Sequence, residues 1–172
     1  MIKISGSFFL VLSVLVSIAG AVQPDALAVY DKVYPLFEIG GEKVLDSWGQ
    51  PLFVEHGIPY WRWEDGVVCC AVRDGQPMLA AYSEIVDSFK EMSREMFDRY
   101  QKAKDELSSL IGPEDVASEG NIRPQLEFMG DVKDFIACWR HGELEITLSC
   151  MYDDKLRTTS FHFMIRRKGF TF

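Results

Sequence analysis

The chain has 172 residues, 48% of them hydrophobic, with 26 acidic side chains against 18 basic ones and a formal net charge of −8. This apolar content excludes an intrinsically disordered protein. The acidic balance disfavours nucleic acid and anionic lipid as partners, because both are bound through clusters of Lys and Arg, and the sequence offers only Arg166-Arg167-Lys168.

Residues 1–21 are predicted to be a secretory signal peptide. Lys3 supplies the positive charge, residues 8–19 form an apolar segment, and Ala19-Gly20-Ala21 provides the small residues of a cleavage site. The alternative is an uncleaved membrane anchor, which is disfavoured because a spanning helix needs roughly 20 apolar residues. We therefore expect an exported protein, periplasmic or extracellular, that is not stably inserted in a membrane after cleavage.

The first half of the predicted mature chain contains both helical and strand patterns. Apolar spacing predicts a helix over residues 24–37 and a short helix at about 42–48, which Gly49 and Pro51 end. Three strands separated by Gly-containing turns follow, at 60–63, 67–72 and about 78–82.

An aromatic cluster in the first of these strands is the candidate binding site, consisting of Tyr60, Trp61, Arg62 and Trp63. Alternation along a strand places Trp61 and Trp63 on one face, and Tyr60 and Arg62 on the other. We expect the Trp face to be core. If it is exposed instead, its rigid aromatic side chains would suit the binding of another protein.

Four cysteines, Cys69, Cys70, Cys138 and Cys150, would allow up to two disulfides in an exported protein. Cys69 and Cys70 point to opposite faces of a strand and would need different partners. If His141-Gly142 is a hairpin turn, Cys138 lies opposite about Glu145 and out of register with Cys150. Two alternatives stay open: bridges from Cys69 or Cys70 to the second half, or four buried free thiols.

A long amphipathic helix is predicted over residues 84–111, either continuous or broken near Ser93. Ser83 is the predicted N-cap, and Gly112-Pro113 ends the helix. Its apolar residues recur at steps of three and four and form one stripe: Ile85, Phe89, Met92, Met96, Tyr100, Ala103, Leu107 and Leu110.

The last part of the chain predicts a polar loop at 114–134 followed by alternating strands. One face carries Leu144, Ile146, Leu148, Cys150 and Tyr152, continued by Phe161, Phe163 and Ile165, while Ser160, His162 and Arg166 point outward. This pattern is typical of an antiparallel sheet with one solvated face. The covered face is expected to receive the long helix.

The two halves of the chain share a repeated sequence pattern. An amphipathic stretch ends at a Gly/Pro signal and is followed by a Trp-containing strand, in Gly41–Pro51 with Trp61–Gly66 and in Leu107–Pro113 with Ala137–Gly142. We therefore predict an α+β protein made by tandem duplication of two helix-plus-antiparallel-sheet units. The units would be residues 22–82 and 83–172, sharing one core, with the long central helix packed on the sheet.

The segment Ile39–Pro51 resembles the helix-to-strand signature of small envelope proteins of the SmpA/OmlA (BamE) type, in which a Gly precedes a Val-bearing helix that ends in Gly-x-Pro. Two such units in one secreted chain are similar to the β-lactamase inhibitor protein fold. The lipoprotein Cys of the first family is missing here, and Gly112-Pro113 lacks the spacer residue. The resemblance implies an export-pathway binding module, with no activity and no functional residue to carry over.

Motifs for catalysis or metal binding are absent from the sequence. It has no Gly-x-Ser-x-Gly, no phosphate loop and no His-Glu-x-x-His, and it has no Cys-x-x-Cys with nearby histidines for zinc. We expect no cofactor, no metal and no catalysis, but a protein-binding module, inhibitor-like or an envelope-assembly accessory, whose partner is another protein. The alternative is a small exported enzyme or ligand carrier with its site between sheet and helix.

Overall fold

The computed structural model describes residues 25–86, 94–117, 134–153 and 158–170. The predicted signal peptide at 1–21 lies outside the described residues, as does most of the predicted loop at 114–134. Within the described ranges, none of the helices combines the length and the apolar content needed to cross a membrane.

Four helices are described: α1 (Ala26–Val33), α2 (Pro35–Ile39), α3 (Gly41–Trp48) and α4 (Arg94–Ile111). Asp25 caps α1, because its side chain accepts a hydrogen bond of 2.7 Å from the Ala28 N–H. Pro35 is the first residue of α2 and divides the single helix predicted over 24–37 into two. The short helix predicted at about 42–48 is confirmed as α3, and it ends at Gly49, whose φ is +75°.

The strands form one eight-stranded sheet in the order β1-β2-β3-β4-β8-β7-β6-β5, with every pair of neighbours antiparallel. Their bounds are β1 Phe53–Glu55, β2 Ile58–Trp63, β3 Gly66–Arg73, β4 Gln76–Val86, β5 Val116–Ala117, β6 Asp134–His141, β7 Leu144–Asp153 and β8 Thr158–Arg167. The strands predicted at 60–63, 67–72 and 78–82 are confirmed inside β2, β3 and β4.

The predicted fold class is wrong. Instead of an α+β protein with two helix-plus-sheet units, the described residues form a single continuous sheet, in which β4 and β8 join the two strand runs. The boundary placed between Tyr82 and Ser83 lies in the interior of β4. Ser83 is not a helix cap, because residues 83–86 pair with residues 159–162 of β8. The long central helix is correspondingly shorter, with α4 described only from Arg94 to Ile111.

The main hydrophobic core lies between the helices and one face of the sheet, which we call the helix face. The predicted stripe of α4 is confirmed for Tyr100, Ala103 and Leu107, which are buried, whereas Leu110 in the last turn is 53% exposed. The sheet contributes the largest set of fully buried side chains, among them Tyr82, Phe135, Ile146, Leu148, Phe161, Phe163, Ile165 and Trp139.

The opposite face of the sheet, here called the far face, carries a second hydrophobic cluster. Its buried members are Ile58, Tyr60, Val67, Cys69, Ala71, Leu79, Ala81 and Phe170. Four polar residues of this face, Ser83, Ser149, Ser160 and His162, are also buried. The prediction that Ser160 and His162 lie on a solvated face is therefore wrong, because alternation shows which residues share a face but not whether that face is covered.

Candidate functional site

The predicted binding residues of β2 divide between the two faces of the sheet as their alternation predicts. Trp61 is only 6% exposed and belongs to the helix-face core, against which Trp63 is partly buried. Tyr60 lies on the far face, 5% exposed, with its ring stacked on Phe53 at 4.7 Å. Arg62 is exposed. The structure therefore does not bring the four residues together into one surface.

Trp61 and Trp63 belong to a cluster that was not predicted from the sequence. We call it the tryptophan cluster, and it consists of Lys32, Trp48, Trp61 and Trp63. Trp48, the last residue of α3, meets Trp61 edge to face, with ring centroids 5.3 Å apart. The Trp61 indole N–H donates a 2.9 Å hydrogen bond to the carbonyl oxygen of Gly49. The end of α3 is thereby fastened to β2.

Lys32 of α1 completes this cluster by placing its ammonium against two indole rings. Lys32 Nζ lies 4.7 Å from the ring centroid of Trp48 and 5.9 Å from that of Trp63, which is within the range of cation–π attraction. Partial burial lowers the pKa of Lys32 from its usual value, because it removes water from the ammonium. Lys32 occupies a polar position of the amphipathic helix predicted over 24–37, and nothing in the sequence indicates that its side chain contacts tryptophan rings.

A buried polar cluster on the far face has the elements of a nucleophile and a base. His162 Nδ1 lies 2.9 Å from Ser83 Oγ, and His162 Nε2 lies 2.8 Å from Ser160 Oγ. Burial lowers the pKa of His162 to about 4, so that the ring is neutral at pH 7. The distance to Ser83 would suit proton abstraction. Ser83 and His162 are only 3% and 9% exposed, however, so this conformation gives a substrate no access to Ser83 Oγ.

Next to this cluster, but on the helix face, Glu84 forms a buried ion pair. Its two carboxylate oxygens accept hydrogen bonds from Arg99 of α4 at 3.2 and 2.8 Å, and Oε2 also accepts one of 2.9 Å from the Tyr82 hydroxyl. The Arg99 guanidinium lies 4.4 Å from the ring centroid of Phe161. This arrangement fastens α4 to β4, and it leaves the carboxylate only 2% exposed.

All four cysteines are free thiols. Cys69 and Cys70 point to opposite faces of the sheet, as predicted. Cys70 and Cys150 share the helix face but lie three strands apart, which is roughly 14 Å at the usual strand spacing. This separation exceeds the roughly 7 Å limit for a disulfide. The hairpin turn is Gly142-Glu143, so Cys138 pairs with Thr147 and not with Glu145 as predicted. Burial raises the pKa of Cys69 and of Cys70 to about 12, which makes both poor nucleophiles.

Concave surface is found between α1 and α4, as a groove of about 570 Å³ that is open to solvent. Except for Leu27, the residues that line it have polar or charged side chains: Asp98, Gln101, Lys102, Asp105, Glu106 and Ser109. Across the described ranges, no three His, Cys, Asp or Glu side chains converge in a way that could hold a metal ion.

Comparisons with protein-family models, with curated proteins and with solved structures find no match to this chain. The resemblance seen in Ile39–Pro51 therefore stays a prediction.

Proposed function

We propose that the protein is an exported, non-catalytic protein-binding module, acting either as an inhibitor or as an accessory of envelope assembly. The observation that carries this proposal is an apolar surface at one edge of the sheet. Leu52 and Val54 are 52% and 60% exposed, although each is a large aliphatic side chain. Exposed apolar residues that lie together often mark a protein interface.

These two aliphatic residues adjoin the tryptophan cluster. Val54 pairs with Pro59, and antiparallel partners share a face, so Val54 lies on the same face as Trp61 and Trp63. The Leu52 N–H donates to the Tyr60 carbonyl at 2.7 Å, which places Leu52 beside the same strand. We call the surface formed by Trp48, Leu52, Val54 and Trp63 the edge surface. Tryptophan is among the residue types most enriched in interface hot spots.

The edge strand itself offers a partner few backbone hydrogen bonds. In the described sheet, β1 is the outermost strand at this edge and is only three residues long. Short edge strands resist pairing with other chains. Recognition through side chains is therefore favoured over the addition of a strand.

Packing of the layers supports a binding role over the alternative of an enzyme or carrier with its site between sheet and helix. The side chains that fill this interface include Tyr82, Tyr100, Phe135 and Trp139, all at most 2% exposed. The Ser83–His162 pair lies on the other face and is buried as well. The resemblance to envelope proteins, with a predicted signal peptide at 1–21, supports the same class of function.

The test is capture of a partner from envelope extract of the source organism by the full chain carrying a C-terminal tag. Leu52→Lys places a charge on the edge surface, and Leu110→Lys is the matched control, since Leu110 is exposed to the same extent on α4. We expect one protein to be enriched by the wild type and by Leu110→Lys but lost with Leu52→Lys. Equal capture by all three would remove the edge surface from the proposal. Turnover of a small molecule without any captured protein would favour the enzyme.

A further inference from the structure

Two tryptophan side chains from different elements contact one cation. Trp48 comes from the end of α3 and Trp63 from the end of β2, while Lys32 of α1 places its Nζ over both rings. The distances of 4.7 and 5.9 Å from Lys32 Nζ place the ammonium against both rings. Indole has the most favourable aromatic face for a cation.

The two rings are held in place by contacts that do not involve Lys32. Trp48 is supported by the edge-to-face contact with Trp61, at an interplanar angle of 83°, and Trp63 by a similar contact with Tyr82, at 5.5 Å and 81°. Each supporting residue is buried and hydrogen-bonded, Trp61 to Gly49 and Tyr82 to Glu84. The walls of the site should therefore persist when Lys32 leaves.

The Lys32 ammonium is held by weak contacts. Within the described residues, no carboxylate oxygen lies within 4.0 Å of Lys32 Nζ. An ammonium is strongly hydrated in water, more so than a guanidinium, so leaving the site restores favourable hydration to Lys32. A partner cation that is easier to desolvate can replace it at low cost.

We propose that Trp48 and Trp63 form a clamp for an arginine side chain of the protein partner, and that Lys32 occupies this clamp in the free protein. The inference rests on the proposed function, because the partner supplies the arginine. A planar guanidinium stacks on aromatic faces and is weakly hydrated. The excess of acidic residues, 26 against 18 basic ones, attracts a basic partner toward the surface. Lys32 then competes with every ligand and selects for cations that bind the rings more tightly than it does.

The probe is Nα-acetyl-arginine amide, with the citrulline analogue as an uncharged control of the same shape. Indole N–H signals of wild type and Lys32→Met are followed by NMR during titration, and Trp139, 2% exposed in the core, serves as the internal reference. We expect saturable shifts of Trp48 and Trp63 only, no response to citrulline, and roughly fivefold tighter binding in Lys32→Met, since one cation–π competitor has been removed.

Three results would overturn the clamp: no shifts in either protein, equal response to citrulline, or equal affinity of wild type and Lys32→Met. Lys32→Gln repeats the measurement if Lys32→Met does not fold, and Trp63→Leu in the same background should abolish binding. If a partner is captured while arginine amide fails to bind, only the clamp is wrong. If the amide binds but no partner is recovered, Trp48 and Trp63 do bind a guanidinium, but the proposed function fails and with it the partner's arginine as the occupant.

Discussion

Ser83 and Glu84 are neighbours in β4, and each is buried on a different face of the sheet in a different way. Glu84 faces α4, which supplies the Arg99 guanidinium as counter-charge. Ser83 faces away from the helices and pairs with His162 of the adjacent strand, a ring that burial keeps neutral. A buried charge needs a partner charge, and here it is α4 that brings one. On the far face, the described contacts of Ser83 and His162 are made by uncharged donors and acceptors.

The largest expected effect tests the packing of the helix face. Trp61→Ala should lower the free energy of unfolding by about 3–5 kcal/mol, because it removes a buried aromatic side chain and leaves a cavity. Urea denaturation measures this. Arg62→Ala, one residue away and exposed, is the control and should change stability by at most about 0.5 kcal/mol. A loss below about 1 kcal/mol for Trp61→Ala would mean that its side chain is accessible in solution.

Glu84→Gln tests whether the helix face depends on charge. The change removes the charged partner of Arg99, whose side chain is only 17% exposed. It should lower the free energy of unfolding by about 3 kcal/mol. Glu145→Gln is the matched control. Its partner Arg166 lies 2.7 Å away, but both side chains are about a quarter exposed, so the loss should stay below about 1 kcal/mol. Equal losses in the two variants would contradict the contrast between buried and exposed pairs.

Acid titration tests the neutral arrangement of the far face. The pKa of His162 is about 4 in the folded protein, against 6.5 for an ordinary histidine. Between these values the unfolded chain binds a proton that the folded chain does not. Stability should therefore fall as the pH decreases from 6.5 to 4, by up to about 3 kcal/mol.

His162→Gln is the control for this titration, because an amide retains hydrogen-bonding groups but does not titrate. Its stability should decrease less than that of the wild type over the same pH range, measured by urea denaturation at each pH. Parallel pH profiles would show that His162 is already charged or exposed in the folded protein.

Thiol reactivity gives the smallest expected effect and involves no loss of stability. Ellman's reagent should react first with Cys138, which is half-buried, and slowly with the buried thiols, because burial raises the pKa of both Cys69 and Cys70 to about 12. In denaturant all four should react. A count below four after unfolding would reveal a disulfide and contradict the free thiols of the structure.

Much of the local structure could be predicted from the residues themselves. Period-two alternation correctly separated Trp61 and Trp63 from Tyr60, because side chains of a strand point to opposite faces. Gly49 correctly predicted the end of α3, where the structure gives this residue a positive φ. The helix prediction was wrong at residues 83–86, which form part of β4 although their apolar spacing continues that of the helix. Their partner strand, β8, lies more than 70 residues later in the chain, so the local sequence carries no sign of the pairing.

The candidate site depended more strongly on tertiary structure. Trp61 and Trp63 could be named in advance, but Lys32 and Trp48 join them only because α1 and α3 pack against β2. The burial of His162 was likewise invisible, since a polar residue at an outward position normally meets water.

The sequence by itself determined where most of the helices and strands form, residues 83–86 excepted, and which side chains share a face, because these follow from backbone geometry over a few residues. Only the tertiary structure decided that the strands form one sheet, that both of its faces are buried in part, and which charges meet. Those outcomes depend on contacts such as Glu84 with Arg99 and Ser83 with His162, between residues whose spacing along the chain carries no periodic signal.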